Sequence, residues 1–168
     1  MKQQMLLKLL KALLKNSKRS DRELAKAIKA SQPTVTRNRK LLAPYIRSYT
    51  IVPEFHKIGY EIFSFTFAKA QSYDRRTVEE KFPIVKEWFM KQHNVVFMSD
   101  GEGLGKDLVF VSIHKNYSKY ADFMRKCTLN VADVMVDLQS FVISLKTGAI
   151  VKPFDLTYLA DDVEEFVK

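Results

Sequence analysis

The sequence predicts an α+β protein of two domains, a winged helix-turn-helix followed by a ferredoxin-like βαββαβ domain, and three observations predict it. Thirteen Lys and Arg fall between Met1 and Val52 against only Asp21 and Glu23, whereas the remaining chain is slightly acidic. Inside that basic third, Ser20 to Leu42 carries two successive helix-start signals. From Tyr60 onward the apolar residues alternate and then step at helical spacing in the order strand, helix, strand, strand, helix, strand. With 168 residues and 46% hydrophobic content, the chain is long enough for two small cores.

In MKQQMLLKLLKALLK, Leu6, Leu9, Leu10, Leu13 and Leu14 form the packing face of a first helix. Lys8 and Lys11 interrupt any signal-type apolar core, and no small-residue cleavage site follows. Ser20 and Glu23 make a capping box, in which hydroxyl and carboxylate each satisfy an orphan N–H, so a second helix opens at Asp21. Leu24, Ala25 and Ile28 are its apolar stripe. Ser31 caps a third helix, and Pro33 suits its first turn, where no intrahelical N–H is needed. At about 100° per residue, Val35, Asn38 and Leu42 share its inner face. Gln32, Pro33, Thr36, Arg37 and Lys40 share the outer one, with Arg39 on the flank. Arg and Lys pair with guanine, Gln with adenine, and Thr offers a hydroxyl and a methyl, so these residue types suit a major groove. The DNA-binding candidates are Gln32, Thr34, Thr36, Arg37, Arg39, Lys40 and Arg47, with Arg39 and Arg47 assigned to phosphates.

Ile46 to Val52 alternates and is rich in β-formers, which predicts a wing strand. Residues 53–59, with Pro53 and Gly59, read as a linker. In the second domain, 60–149, Phe63, Phe65 and Phe67 alternate in a first strand. Val78, Phe82, Val85 and Phe89 mark a helix that Pro83 either kinks or begins. Val95 to Ser99 and Leu108 to His114 are the middle strands, with the glycines of 101–105 in the turn between them. Asn116 caps a helix with Tyr117, Tyr120, Met124 and Cys127, and Ser140 to Leu145 closes the sheet. Both faces of this sheet are apolar, although helices in this topology cover one, so the second face is expected to meet another subunit. Residues 150–168 form a tail packing on its own or a partner subunit. It would fold over that face through Val151, Phe154, Leu156, Tyr158 and Leu159, or bring acidic Asp161, Asp162, Glu164 and Glu165 near the basic domain.

ELAKAIKASQPTVTRNRKLL followed by YIRSYTIVPEFHKIGYEI resembles the opening of the Lrp/AsnC (leucine-responsive) family of transcription regulators, and the βαββαβ order resembles that family's RAM/ACT-like regulatory half. The chain departs from the family at two turns. Lys29 stands where Gly is usual, at a cost of roughly 1 kcal/mol if left-handed, and Ala43-Pro44-Tyr45 replaces the Gly expected before the wing. The resemblance implies a homodimer or higher oligomer that binds double-stranded DNA. It also implies an amino-acid-like effector at a Gly- and Asp-containing turn, here Asp100, Gly101, Gly103, Gly105 and Asp107.

Other chemistries find little support in the residues. Cys127 is the one cysteine, which excludes an intramolecular disulfide and suits a reduced cytoplasm. His56, His93 and His114 have no ligand-type spacing, no nucleophile elbow occurs, and Gly101 to Gly105 is no dinucleotide fingerprint because no helix follows it. Apolar runs fall well short of the about 20 residues that span a bilayer. The chain is therefore read as neither enzyme nor cofactor carrier nor membrane protein. Two alternatives remain on the same architecture. One is an enzyme resembling the sirohaem decarboxylases, which would have no use for Arg37, Arg39 and Lys40 together; the other is a sequence-indifferent chromosome-organising protein.

Overall fold

The computed structural model describes residues 2–75, 77–146, 148 and 150–166. The side chain of Val78, assigned above to a helix face, and the boundary residue Ala149 lie outside the described residues. The chain divides into two compact units, one made of Met1–Val52 with Lys152–Lys168 and the other of Pro53–Val151.

The first unit is helical. α1 (Lys2–Lys15) buries Leu9, Ala12 and Leu13 against α2 (Asp21–Ala27) and α3 (Gln32–Leu42). The capping box at α2 is formed: Glu23 N–H donates to Ser20 Oγ at 3.3 Å and Ser20 N–H to Glu23 Oε2 at 2.7 Å. Those Ser20 hydrogen bonds hold the Glu23 carboxyl below its usual range. Lys29 adopts φ +54, with its N–H donated to the Lys26 carbonyl oxygen at 3.3 Å and that of Ala30 to Ala25 at 2.9 Å. This is the Schellman pattern of helix termination, built here on a residue that carries a Cβ.

Beyond α3 a short 3₁₀ turn, Ala43–Tyr45, leads into extended backbone at Ile46. The wing strand expected over Ile46 to Val52 is not formed: among the described residues, these pair with no strand. β propensity does not make a strand by itself, because the ladder is made with a partner, and none is offered here.

The residues after Val151 complete this unit. Asp155 Oδ1 caps a 3₁₀ turn at Leu156–Tyr158 by accepting the Thr157 N–H at 2.8 Å, and α6 (Leu159–Asp162) buries Ala160. Lys15 Nζ lies 2.7 Å from Asp161 Oδ1, and the Phe166 ring sits 4.7 Å from that of Tyr45.

The second unit is a four-stranded antiparallel sheet in the order β2-β3-β1-β4, from β1 (Ile62–Ala70), β2 (Val95–Gly103), β3 (Lys106–His114) and β4 (Met135–Ser144). A π-helical turn at Thr77–Lys81 leads into α4 (Phe82–Met90), and Pro83 begins this helix rather than kinking it. α4 and α5 (Tyr117–Val131) pack on one face through Val85, Phe89, Phe123, Cys127 and Val131 over Ala68, Leu108 and Phe110. That covered face also holds a polar stripe, with Thr66 Oγ1 and Ser140 Oγ 2.8 Å apart and His114 Nε2 2.9 Å from Ser112 Oγ.

The uncovered face carries the odd-numbered residues of β1. The register aligns Phe97, Val111, Phe65 and Phe141 in one row across all four strands. Phe97 and Phe141, at its two ends, are 54% and 68% exposed. Two strands are longer than the hydrophobic pattern suggested. β2 continues through Gly103, so the glycine-rich segment is mostly strand, and the turn shrinks to Leu104 and Gly105 at φ +55 and +67. Positive φ at both central residues is the type I′ geometry that matches strand twist. β4 starts at Met135, with a bulge in its pairing to β1 near Asp137, which adopts φ +52 and receives the buried Lys106 ammonium in an ion pair.

Candidate nucleic-acid interface

α3 sorts its residues by face as helical periodicity requires. Val35, Asn38 and Leu42 are buried in the first unit's core. Gln32, Pro33, Thr36, Arg37 and Lys40 are exposed and together line an open depression of about 430 Å³. Neither Arg37 nor Lys40 has an acidic partner among the described residues. Two unneutralised cations on one exposed face, beside a carboxamide and a methyl, suit an anionic, hydrogen-bonding surface.

The flank of the helix is occupied within the protein. Ser31 Oγ and Thr34 Oγ1 are 2.8 Å apart, and Ser31 Oγ accepts the Thr34 N–H at 3.4 Å, so Thr34 belongs to the helix cap. Arg39, expected on a phosphate, is half-buried. Its Nε lies 2.7 Å from Asp21 Oδ1 and its Nη2 donates to the Arg19 carbonyl oxygen at 3.1 Å. Those contacts turn its guanidinium toward α2. Thr36 Oγ1 donates to Asp21 Oδ2 at 2.5 Å. Asp21 is the residue that periodicity did not single out, because its part depends on the fold bringing the start of α2 against the middle of α3. Arg47 is exposed on the extended segment after the helices.

In the second unit, Asp100 and Asp107 line a depression of about 250 Å³ together with Tyr73, Phe82, Leu108 and Met135. Asp107 Oδ2 accepts the Ala70 N–H at 2.9 Å, which orients the carboxylate. The Tyr73 and Phe82 rings are 6.5 Å apart and nearly parallel. Burial, and then the charges of Asp107, Asp100 and Glu102, push the Tyr73 phenol above its usual range. Gly101 and Gly103 lie in β2 and Gly105 in the hairpin turn, outside this lining. Tyr73 and Phe82 were not singled out as site residues, since an aromatic residue beside an apolar stripe reads as core. Among the described residues, no group of three His, Cys, Asp or Glu side chains is placed to hold a metal, and no helix is long and apolar enough to cross a membrane.

No family profile and no curated relative matches the sequence. Solved structures do match the fold. LrpC from B. subtilis is similar at 21% identity and a TM-score of 0.65, over 88% of this chain and 96% of that one. AsnC from E. coli is similar at 14% identity and a TM-score of 0.69, over 90% and 96%. A Neisseria meningitidis transcriptional regulator, solved as a complex with L-Met, is similar at 18% identity and a TM-score of 0.72, over 90% and 93%. The α+β architecture of a helix-turn-helix unit and a ferredoxin-like unit is therefore the fold of the Lrp/AsnC transcription regulators.

Proposed function

We propose that this protein is a sequence-specific, DNA-binding transcription regulator that acts as a homodimer or higher oligomer. The observation that carries the reading is the outward face of α3, where Gln32, Thr36, Arg37 and Lys40 stand exposed while the opposite face is packed. In this reading those four side chains enter a major groove and Arg47 meets the phosphate backbone. Arg39 and Thr34 serve to hold the helix in place. The uncovered sheet face, with its row of Phe97, Val111, Phe65 and Phe141, supports association of two copies. Two reading helices related by a two-fold axis require a pseudo-palindromic site, with half-sites about 34 Å or a multiple of it apart. The depression beside Asp100 and Asp107 supports a small-molecule effector bearing an ammonium, and the L-Met complex of the Neisseria meningitidis protein makes an amino acid the first ligand to try.

The test is a salt-titrated selection on randomised duplexes, followed by binding with two variants. The native chain is expected to recover a two-fold motif. Arg37→Ala should lose roughly 1–3 kcal/mol of discrimination at one base position, whereas Arg47→Ala should weaken all duplexes alike and reduce the salt slope by about 1. Equal losses on specific and random duplexes for Arg37→Ala would remove its base-reading role. Strong but sequence-blind binding by the native chain would favour chromosome organisation, and no binding at low salt would remove the DNA reading altogether.

A further inference from the structure

α2 and α3 are joined by polar contacts with a definite donor order. An aspartate carboxylate only accepts hydrogen bonds. Asp21 Oδ2 takes the Thr36 hydroxyl at 2.5 Å, while Asp21 Oδ1 lies 2.7 Å from Arg39 Nε. Among the described residues, the Thr36 hydroxyl has one further hydrogen-bond partner, the Gln32 carbonyl oxygen at 3.2 Å, which is also an acceptor. A hydroxyl has one hydrogen, and both groups competing for it belong to the protein. That hydrogen is therefore turned inward, and what Thr36 presents outward is oxygen lone pairs and a methyl group.

We propose that Asp21, through this contact, makes Thr36 a hydrogen-bond acceptor toward DNA and so sets the base preference at the position Thr36 faces. The proposal rests on the reading above, in which α3 enters the major groove. In that groove adenine and cytosine present an amino donor, whereas guanine presents only its N7 and O6 acceptors. An acceptor-only Thr36 takes an amino-bearing base and refuses guanine. The Asp21 charge behind the hydroxyl adds to that refusal, because it repels the electronegative edge of guanine. Asp21 is thus a positioning residue: it touches no base itself, and it fixes what its neighbour reads. Arg39 restrains the Asp21 carboxylate from the other side, and its Nη2 is tied in turn to the Arg19 carbonyl oxygen.

The experiment compares the full-length native chain, Asp21→Asn and Thr36→Val by selection on randomised duplexes. The native chain is expected to deplete guanine by about fivefold or more at one position of each half-site, in favour of adenine or cytosine. In Asp21→Asn the hydroxyl hydrogen passes to the Gln32 carbonyl oxygen, the charge behind Thr36 is gone and the new amide can donate to Thr36 Oγ1, occupying a lone pair that faced the groove. Discrimination against guanine therefore falls at that position while preferences elsewhere stay. Thr36→Val keeps the shape but cannot accept, and the same position becomes indifferent to guanine. A preference that survives Asp21→Asn, with binding weakened by one factor on every duplex, overturns the proposal and leaves Asp21 as a simple brace. If Asp21→Asn fails to fold, Thr36→Val decides, and an unchanged preference there overturns the proposal equally. Sequence-blind binding by the native chain is a separate failure, that of the regulator reading, and is seen before any variant is made.

Discussion

His114 lies on the covered face of the sheet, hydrogen-bonded to Ser112 at 2.9 Å and flanked by the rings of Tyr120 and Phe123 at 5.4 and 5.2 Å. Burial pushes its imidazole down from 6.5 to about 4. Between those values the unfolded chain binds a proton that the native state refuses, so stability is lost as pH falls from about 6.5 to about 4. The loss at the lower end is of the order of 3 kcal/mol. Denaturant midpoints measured across that window should fall for the native chain and fall less for His114→Gln; parallel curves would show that other groups govern acid unfolding. The sequence shows His114 as the end of a middle strand and as a residue without metal-ligand spacing. Its burial depends on α5 crossing the sheet, which no local pattern reveals. Val35, Asn38 and Leu42, by contrast, were legible because a helix of known period places them on one side whatever surrounds it.

Among the elements, the turn between α2 and α3 shows a local rule broken at a small cost. Lys29 holds φ +54 where a glycine would be unstrained. Lys29→Gly should relieve roughly 1 kcal/mol of strain and forfeit part of that to the freer unfolded chain, raising the thermal midpoint by about 2 °C. A fall in the midpoint would mean that the lysine side chain contributes more than its backbone costs. Helix starts were readable at Ser20, Ser31 and Asn116 because a cap is written within four residues. Strands were readable only where alternation was clean, as in β1. The glycines hid the second half of β2, the bulge near Asp137 broke the pattern of β4, and Ile46 to Val52 had strand composition without a partner. The candidate sites divide the same way. The outward face of α3 follows from one helix, while Asp21 and Tyr73 enter only when distant segments meet.

For the whole molecule, the testable quantity is association. The uncovered sheet face ends in two exposed phenylalanines, joined by a row that runs through Val111 and Phe65. An apolar surface of this kind gains from being removed from water, and charge placed at both ends opposes that gain. On the proposed homodimer, the native chain should sediment as a dimer or larger species and the double variant Phe97→Glu with Phe141→Glu as a monomer, with its far-ultraviolet circular dichroism unchanged. Native-like association of that variant would place the interface elsewhere.

The helical unit draws on both arms of the chain, with Asp161 meeting Lys15 and Phe166 meeting Tyr45. During translation its first three helices leave the ribosome well before the segment that closes over α1, and the whole sheet unit is synthesised in between. A nascent chain that has only reached residue 151 carries α3 on an unfinished core. The order of synthesis therefore runs against the order of the chain: the helical unit, begun first, is finished only after the sheet unit has been made.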